Sequence, residues 1–362
     1  MAASGGTQRF IFKREATLGI EATGSDFLGF RATQGMVGAN KRAVTSEIIR
    51  ADRSTDANIQ VFRAAEASLE SELLCGDVGH NEMYARALFS SFTAGDLTAE
   101  FDVGKGGSDS MAGTTVTTSA TNVITCTGAT FTTDGLKAGA WLAIDDLNAA
   151  VNGYWKVVSV DSQTAVTVNP AGISYTGTPL TFGNFTGSGD EDFAFGFIRN
   201  ATLRKGLTIE RGFPDVGEYL RSIGCVVNTM NVRLEAEQIG RCSFEFLGTG
   251  WNDADSSADA SVTLGTSTAI SASTNVVRLY KDNTALGVGA RSLEFTVNNN
   301  INQLTQIASV TAADVIAGRC QIEGTLEAYF TDRAALHDLL VDHTPFSIEF
   351  VGIDDQGGMF AV

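Results

Sequence analysis

The chain has 362 residues, room for two or three cores at about 100–200 residues each. Hydrophobic residues make up 43% and charged residues 19%, which excludes a disordered chain. Twenty-five Lys and Arg stand against 42 Asp and Glu, a formal net charge of −17 that excludes adhesion to nucleic acid or anionic lipid through bulk charge. With 39 Gly and only 4 Pro, turns rest on Gly, Asn, Asp and Ser, and short Val/Thr/Ile/Phe runs between them predict a β-dominated chain. The five cysteines, Cys75, Cys126, Cys225, Cys242 and Cys320, are odd in number and not at metal-ligand spacing, so they read as small buried hydrophobes. Arg9, Lys13 and Arg14 are followed by no apolar segment of the kind a Sec signal needs. No apolar run approaches the ~18 residues that span a bilayer. The expectation is a soluble protein made in a cytoplasm, without a membrane partner.

In chain order, Phe10–Lys13 reads as a short strand. Residues 19–43 carry five glycines and no sustained period, which predicts a long functional loop. Val44–Arg50 and Ile59–Phe62 read as strands around a polar turn. From Ala65 to Leu73, Ala65, Ala67, Leu69, Ser71 and Leu73 alternate with Glu66, Ser68, Glu70 and Glu72, a strand with one small or apolar face and one acidic face. A helix over about Asn81–Phe92 follows, with Met83, Tyr84, Ala87, Leu88 and Phe92 on one side.

Residues of roughly 103–190 are rich in Thr, Gly, Ala and Ser and contain no Glu. Short strands are expected at Val116–Thr118, Val123–Thr127, Trp141–Ile144, Tyr154–Val160 and Ala165–Val168. This reads as a small β domain inserted into a larger one. The division is 1–106, 107–190 (the insert) and 191–362. The host resumes with strands at Phe193–Arg199 and Leu207–Arg211, then a short helix over Asp215–Ile223. Val226–Glu235 alternates, and Cys242, Phe244 and Phe246 mark the next strand. Further strands are Val276–Lys281, Leu293–Val297, Gln321–Tyr329 and Phe346–Val351, with a helix at Asp332–Val341 capped by Thr331.

Little in the sequence points to catalysis. His80, His337 and His343 read as helix-start or surface residues, and no HExxH, GxSxG or Walker A pattern occurs. Gly104-Lys-Gly-Gly lacks a following helix. Asp253, Asp255 and Asp259 lack the Gly and Glu of a calcium loop. No enzyme activity, cofactor or metal is expected.

Five segments, in order, resemble the tail tube proteins (major tail proteins) of long-tailed, non-contractile, siphovirus-type bacteriophages. They are Thr45–Arg53 (TSEIIRADR), Ala67–Phe92, residues 133–168 (TDGLKAGAWLAID…NGYWKVVSVDSQTAVTV), residues 207–230 (LTIERGFPDVGEYLRSIGCVVNTM) and residues 324–350 (GTLEAYFTDRAALHDLL…FSIEF). The resemblance implies a tail-tube-type β-sandwich with flanking helices. It also implies hexameric rings closed by joined inner sheets and stacked into a conduit for DNA ejection. A tape measure protein, a tail terminator and distal tail proteins are the implied partners, in the virion tail. Read from the residues without it, the chain also fits another self-assembling tube or shell, such as a secretion-system ring or capsid decoration protein, or a carbohydrate-binding β protein, which would need an aromatic platform from Trp141, Tyr154 and Trp155, although Trp141 and Tyr154 sit in apolar alternation and read as core.

Three expectations follow. Loop 19–43, with Phe27, Leu28, Phe30 and Met36, and the C-terminal segment, with Met359 and Phe360, are contact arms, and deleting residues 24–38 should leave a folded subunit unable to polymerise. The insert projects outward and is dispensable to the host. Glu66, Glu70 and Glu72 face the lumen, because like charges repeated around a ring need water and counterions, and the resemblance places this strand in the ring-closing sheet.

Overall fold

The computed structural model describes residues 7–48, 58–75, 77–90, 114–118, 122–126, 131–133, 136–145, 153–169, 171–173, 179–181, 185–189, 192–196, 198, 200–282, 284–329, 341–343, 345–355 and 359–362. The described chain is mainly β. The first strands are β1 (Arg9–Arg14), β2 (Leu28–Phe30), β3 (Gln34–Thr45) and β4 (Asn58–Glu72), followed by helix α1 (Val78–Ala87). Next come β5 (Thr114–Thr118), β6 (Val123–Cys126), β7 (Trp141–Asp145), β8 (Gly153–Val160), β9 (Ala165–Val168), β10 (Ala171–Ile173), β11 (Pro179–Thr181), β12 (Phe185–Gly189) and β13 (Asp192–Gly196). The rest are β14 (Leu207–Phe213), β15 (Glu218–Glu235), β16 (Arg241–Leu247), β17 (Gly250–Ala254), β18 (Val276–Lys281), β19 (Thr284–Ala285), β20 (Ala290–Asn298), β21 (Asn302–Leu304), β22 (Asp314–Ile316), β23 (Gln321–Ala328), β24 (Ile348–Ile353) and β25 (Met359–Ala361).

The central element is β15, 18 residues long and shared by two leaves. Its first half pairs with β14 and β17; β14 continues through β1 to β2. Its second half pairs with β16 and β20, and these extend to β4 and β3 on one side and β23 on the other. Strands that pass from one leaf to another do so through bends and bulges. Here the bend falls at Gly224, whose φ is +69° and whose missing Cβ would lie 2.3 Å from Thr249 Oγ1. Phe10, Phe12, Phe30, Leu69, Met83, Ile209, Met230, Val232, Phe244 and Phe246 fill the core enclosed by the leaves and α1.

Residues 19–43 are not a long loop. They contain β2 and most of β3, and Phe27 and Phe30 are buried, with Leu28 packed against the same core. Their apolar side chains therefore already have an intramolecular partner. Deleting 24–38 would remove core strands instead of releasing an arm. Met359 is buried with Val351 and Ile353, and Phe360 packs on Tyr84 at a 5.4 Å ring separation. Of the proposed arm residues, Met36 alone is clearly exposed, and it faces the same side as Ser68.

The helix expected at Asp215–Ile223 is instead a tight turn and the start of β15. Val216 and Gly217 donate to the Phe213 carbonyl, and Gly217 sits at φ +73°. Pro214-Asp215-Val216-Gly217 has the chemistry of a hairpin turn, which overrides a helical period only two turns long. His80 is not at the surface: it is fully buried in α1, its ring stacked 4.2 Å from Phe30. Strand β13, expected to resume the host, pairs with β7. The helix expected at Asp332–Val341 lies outside the described residues but for its last position.

Strands β5–β13 pair with one another, and β18, β19, β24 and β25 form a separate four-stranded sheet. The two are not independent. Trp141 and Tyr154 are buried in one cluster with Val351, Ile353 and Met359. Glu349, on β24, takes Lys156 from β8 and Arg278 from β18, and Arg278 lies 5.4 Å from the Trp141 ring.

Candidate functional site

The alternation read from Ala65–Leu73 holds in β4. Ala65, Ala67, Leu69, Ser71 and Leu73 are buried, while Glu66, Glu70 and Glu72 stand half-exposed on the other face. The strand registers extend that face across six strands. One row runs Gln34, Glu70, Ser243, Asn231, Thr296, Glu323. The next runs Glu72, Arg241, Arg233, Glu294, Thr325. Glu245 lies opposite Ser68, and Glu327 and Glu235 lie either side of Ser292.

This face therefore carries Glu66, Glu70, Glu72, Glu235, Glu245, Glu294, Glu323 and Glu327 against two cations, Arg233 and Arg241. Both cations are already engaged: Arg241 Nη1 lies 3.1 Å from Glu70, and Arg233 Nη2 lies 2.5 Å from Glu235. Asn40 donates to Glu66 at 2.7 Å, and Asn231 donates to Glu294 at 2.7 Å. A concavity of about 360 Å³ opens around Arg233 and Arg241. Paired arginines are poor phosphate ligands, because binding one would strip a carboxylate of its partner. The net field of the face is negative, and a polyanion is repelled within about a Debye length, ~8–10 Å.

The glutamates beyond β4 were within reach of the sequence. Phe244, Leu293, Phe295 and Val297 alternate with Glu245, Glu294 and Thr296, and the same period-2 rule exposes them. What the sequence lacked was the strand order that sets these glutamates side by side.

One constellation looks chemical. His80 Nε2 is 3.2 Å from Ser71 Oγ, and His80 Nδ1 is 3.5 Å from Asp77 Oδ2. A Ser–His–Asp chain is the apparatus of acyl transfer, but its serine must meet a substrate carbonyl. Ser71 and His80 have no exposed surface, and Ser71 Oγ also contacts Cys242 Sγ at 3.0 Å. Burial pushes the Cys242 thiol up to about 11, so it stays protonated. The cluster is a core hydrogen-bond network beneath the acidic face. Among the described residues no group of three His, Cys, Asp or Glu side chains could hold a metal ion, and no helix is long and apolar enough to cross a membrane.

No curated protein matches the chain. A family model described as phage tail tube protein matches residues 5–362. A mainly β subunit with a broad acidic sheet face is consistent with that match, which covers nearly all of the sequence. The chain belongs to the phage tail tube protein family: it is a structural protein of the virion tail that assembles with itself and with other tail proteins.

Proposed function

We propose that six copies close into a ring by joining the sheet β3-β4-β16-β15-β20-β23 edge to edge, that rings stack into the tube of a siphovirus-type tail, and that the acidic face lines the lumen. The observation that carries this reading is that face: eight glutamates against two engaged arginines, on a sheet whose outer strands are open. Among the described residues β3 pairs only with β4, and β23 only with β20. Open edges invite a partner strand, and a closed ring removes them. Glu66, Glu70 and Glu72 then meet passing DNA, which slides without specific contacts during ejection. The tape measure protein, the terminator and the distal tail proteins are the other partners, within the bore and at the tube ends. The 107–190 insert lies on the outside.

In the subunit, residues Asn40–Ile48 of β3 and its continuation, with Asn58–Val61 of β4, extend past the end of β16 as a ribbon, mostly exposed. Val44, Ile48, Ile59 and Val61 all face solvent there. The contact arm expected at 19–43 is better assigned to this ribbon. Electron microscopy of the purified full chain tests the reading. Hollow six-fold tubes support it, and a chain that stays monomeric at high concentration overturns it.

A further inference from the structure

The sheet β3-β4-β16-β15-β20-β23 ends in two free edges of unequal length. Strand β3 has 12 residues and β23 has 8. Residues Asn40–Thr45 of the one and Gln321–Thr325 of the other are all exposed. Among the described residues neither edge has a second strand beside it. Long exposed edges are templates for another chain.

Strand direction fixes how these two edges can meet. Every neighbouring pair in the six-strand sheet is antiparallel, so β3 and β23 run in opposite directions. Rotation about a ring axis preserves direction, so β23 of one copy meets β3 of the next antiparallel. Side-chain alternation then fixes the phase. Glu323 and Glu327 share the acidic face with Gln34, Gly38, Asn40 and Arg42 of β3. A slip by one residue would turn the β23 glutamates to the other side. In phase, only two registers place all 8 residues of β23 opposite residues of β3. One sets Glu323 opposite Asn40, the other sets Glu323 opposite Arg42.

Both registers suit a closed sheet. Straight across the six strands Glu323 stands level with Gln34. Joining it to Asn40 or to Arg42 of the next copy tilts the strands by about 35° or about 43°, at ~3.3 Å per residue and ~4.8 Å per strand, and closed sheets tilt by ~35–45°. Charge decides between them. Arg42 is exposed, 5.6 Å from its own Phe62 ring, and enters no ion pair among the described residues. The Asn40 register sets Arg42 against Gln321 and the apolar Ile322 against Lys41. The Arg42 register sets opposite charges together, Ile322 against Ala43, and Lys41 against Gly324, which has no side chain to oppose it. Opposite charges and apolar pairs directly across a ladder favour their register.

We propose that Arg42 of one copy pairs with Glu323 of the next, in a β23–β3 joint running from Gln321 opposite Val44 to Ala328 opposite Val37. The inference rests on the ring reading and names the residues that set the register of its joint.

Charge exchange and cross-linking on the full chain test it. Arg42→Glu or Glu323→Arg sets like charges opposite each other and should raise the concentration needed for ring assembly about tenfold or more. The two changes together should bring it back to within about threefold of the unaltered chain. Both sites are exposed, and circular dichroism verifies folding. In a Cys320→Ser background, Asn40→Cys with Thr325→Cys should give disulfide-linked oligomers under copper-catalysed air oxidation, seen by non-reducing electrophoresis, because the joint sets these two positions opposite each other. Asn40→Cys with Glu323→Cys should give far fewer. The reverse cross-linking result overturns the register and leaves the ring reading intact. Single charge variants that assemble like the unaltered chain, or a double variant no better than its parents, do the same. An unaltered chain that forms only dimers, or no rings at all, overturns both.

Discussion

Glu15 shows how a single side chain can hold the bend in β15. It is buried, and its carboxylate accepts from Gly224 N at 2.7 Å, Gly19 N at 2.8 Å and Thr208 Oγ1 at 2.9 Å. Glu15→Ala strands these donors at about 1–3 kcal/mol each, so urea unfolding should show a loss of at least ~2 kcal/mol. Burial raises the carboxyl above its ordinary 4.5, against the lowering by its hydrogen bonds. A raised native value means the folded chain holds the proton more tightly. The stability from this group is therefore complete below about 4.5 and is lost as pH rises through the folded value. The stability of the unaltered chain relative to Glu15→Gln should fall over that window, as read by denaturation at several pH values. A second buried cluster sits on α1, where Glu82 is 2.9 Å from Arg86 and 3.1 Å from Arg14. Arg86 is almost wholly buried, and burial lowers its pKa. Glu82→Ala should cost about 3–5 kcal/mol by leaving that guanidinium uncompensated, and Glu82→Leu with Arg86→Met should cost less than Glu82→Ala alone, checked in the same unfolding experiment.

At the scale of elements, the β5–β13 sheet is tied to the C-terminal sheet more firmly than its composition suggested. Trp141→Ala should destabilise by about 3–5 kcal/mol, because the ring is buried against Val351, Ile353 and Met359. Excising the insert would uncover the same residues, so the excised chain should bind a hydrophobic dye and melt at a lower temperature than the intact one. That expectation replaces a freely removable appendage. Trp141 and Tyr154 were legible as core residues from their alternation, but their partners sit some 200 positions later, and no local pattern carries that distance. The acidic strand was legible because burial on one face imposes period 2. Strand β3 was not, because its outer half has no buried face and therefore no period: from Asn40 to Thr45 every residue is exposed. Turn chemistry at Pro214–Gly217 was present in the sequence, and the chain follows it over the short helical spacing of Asp215–Ile223. The acidic face was half legible: its residues follow from alternation, its width from strand order alone.

For the whole molecule, the test of the acidic face is its charge. Changing Glu66, Glu70 and Glu72 together to Lys should leave the subunit folded, since exposed substitutions usually shift stability by within about 0.5 kcal/mol each. Tubes built from it should retain DNA at low salt and release it as salt rises, measured by co-sedimentation with a short duplex. Tubes that ignore DNA at every salt concentration would place those carboxylates on the outer wall. The two open sheet edges carry a different consequence. Strands β3 and β23 are unlike, so a ring that closes must join the one to the other, and every copy then runs in the same rotational sense. Each ring has two different faces, and a stack of such rings has two different ends.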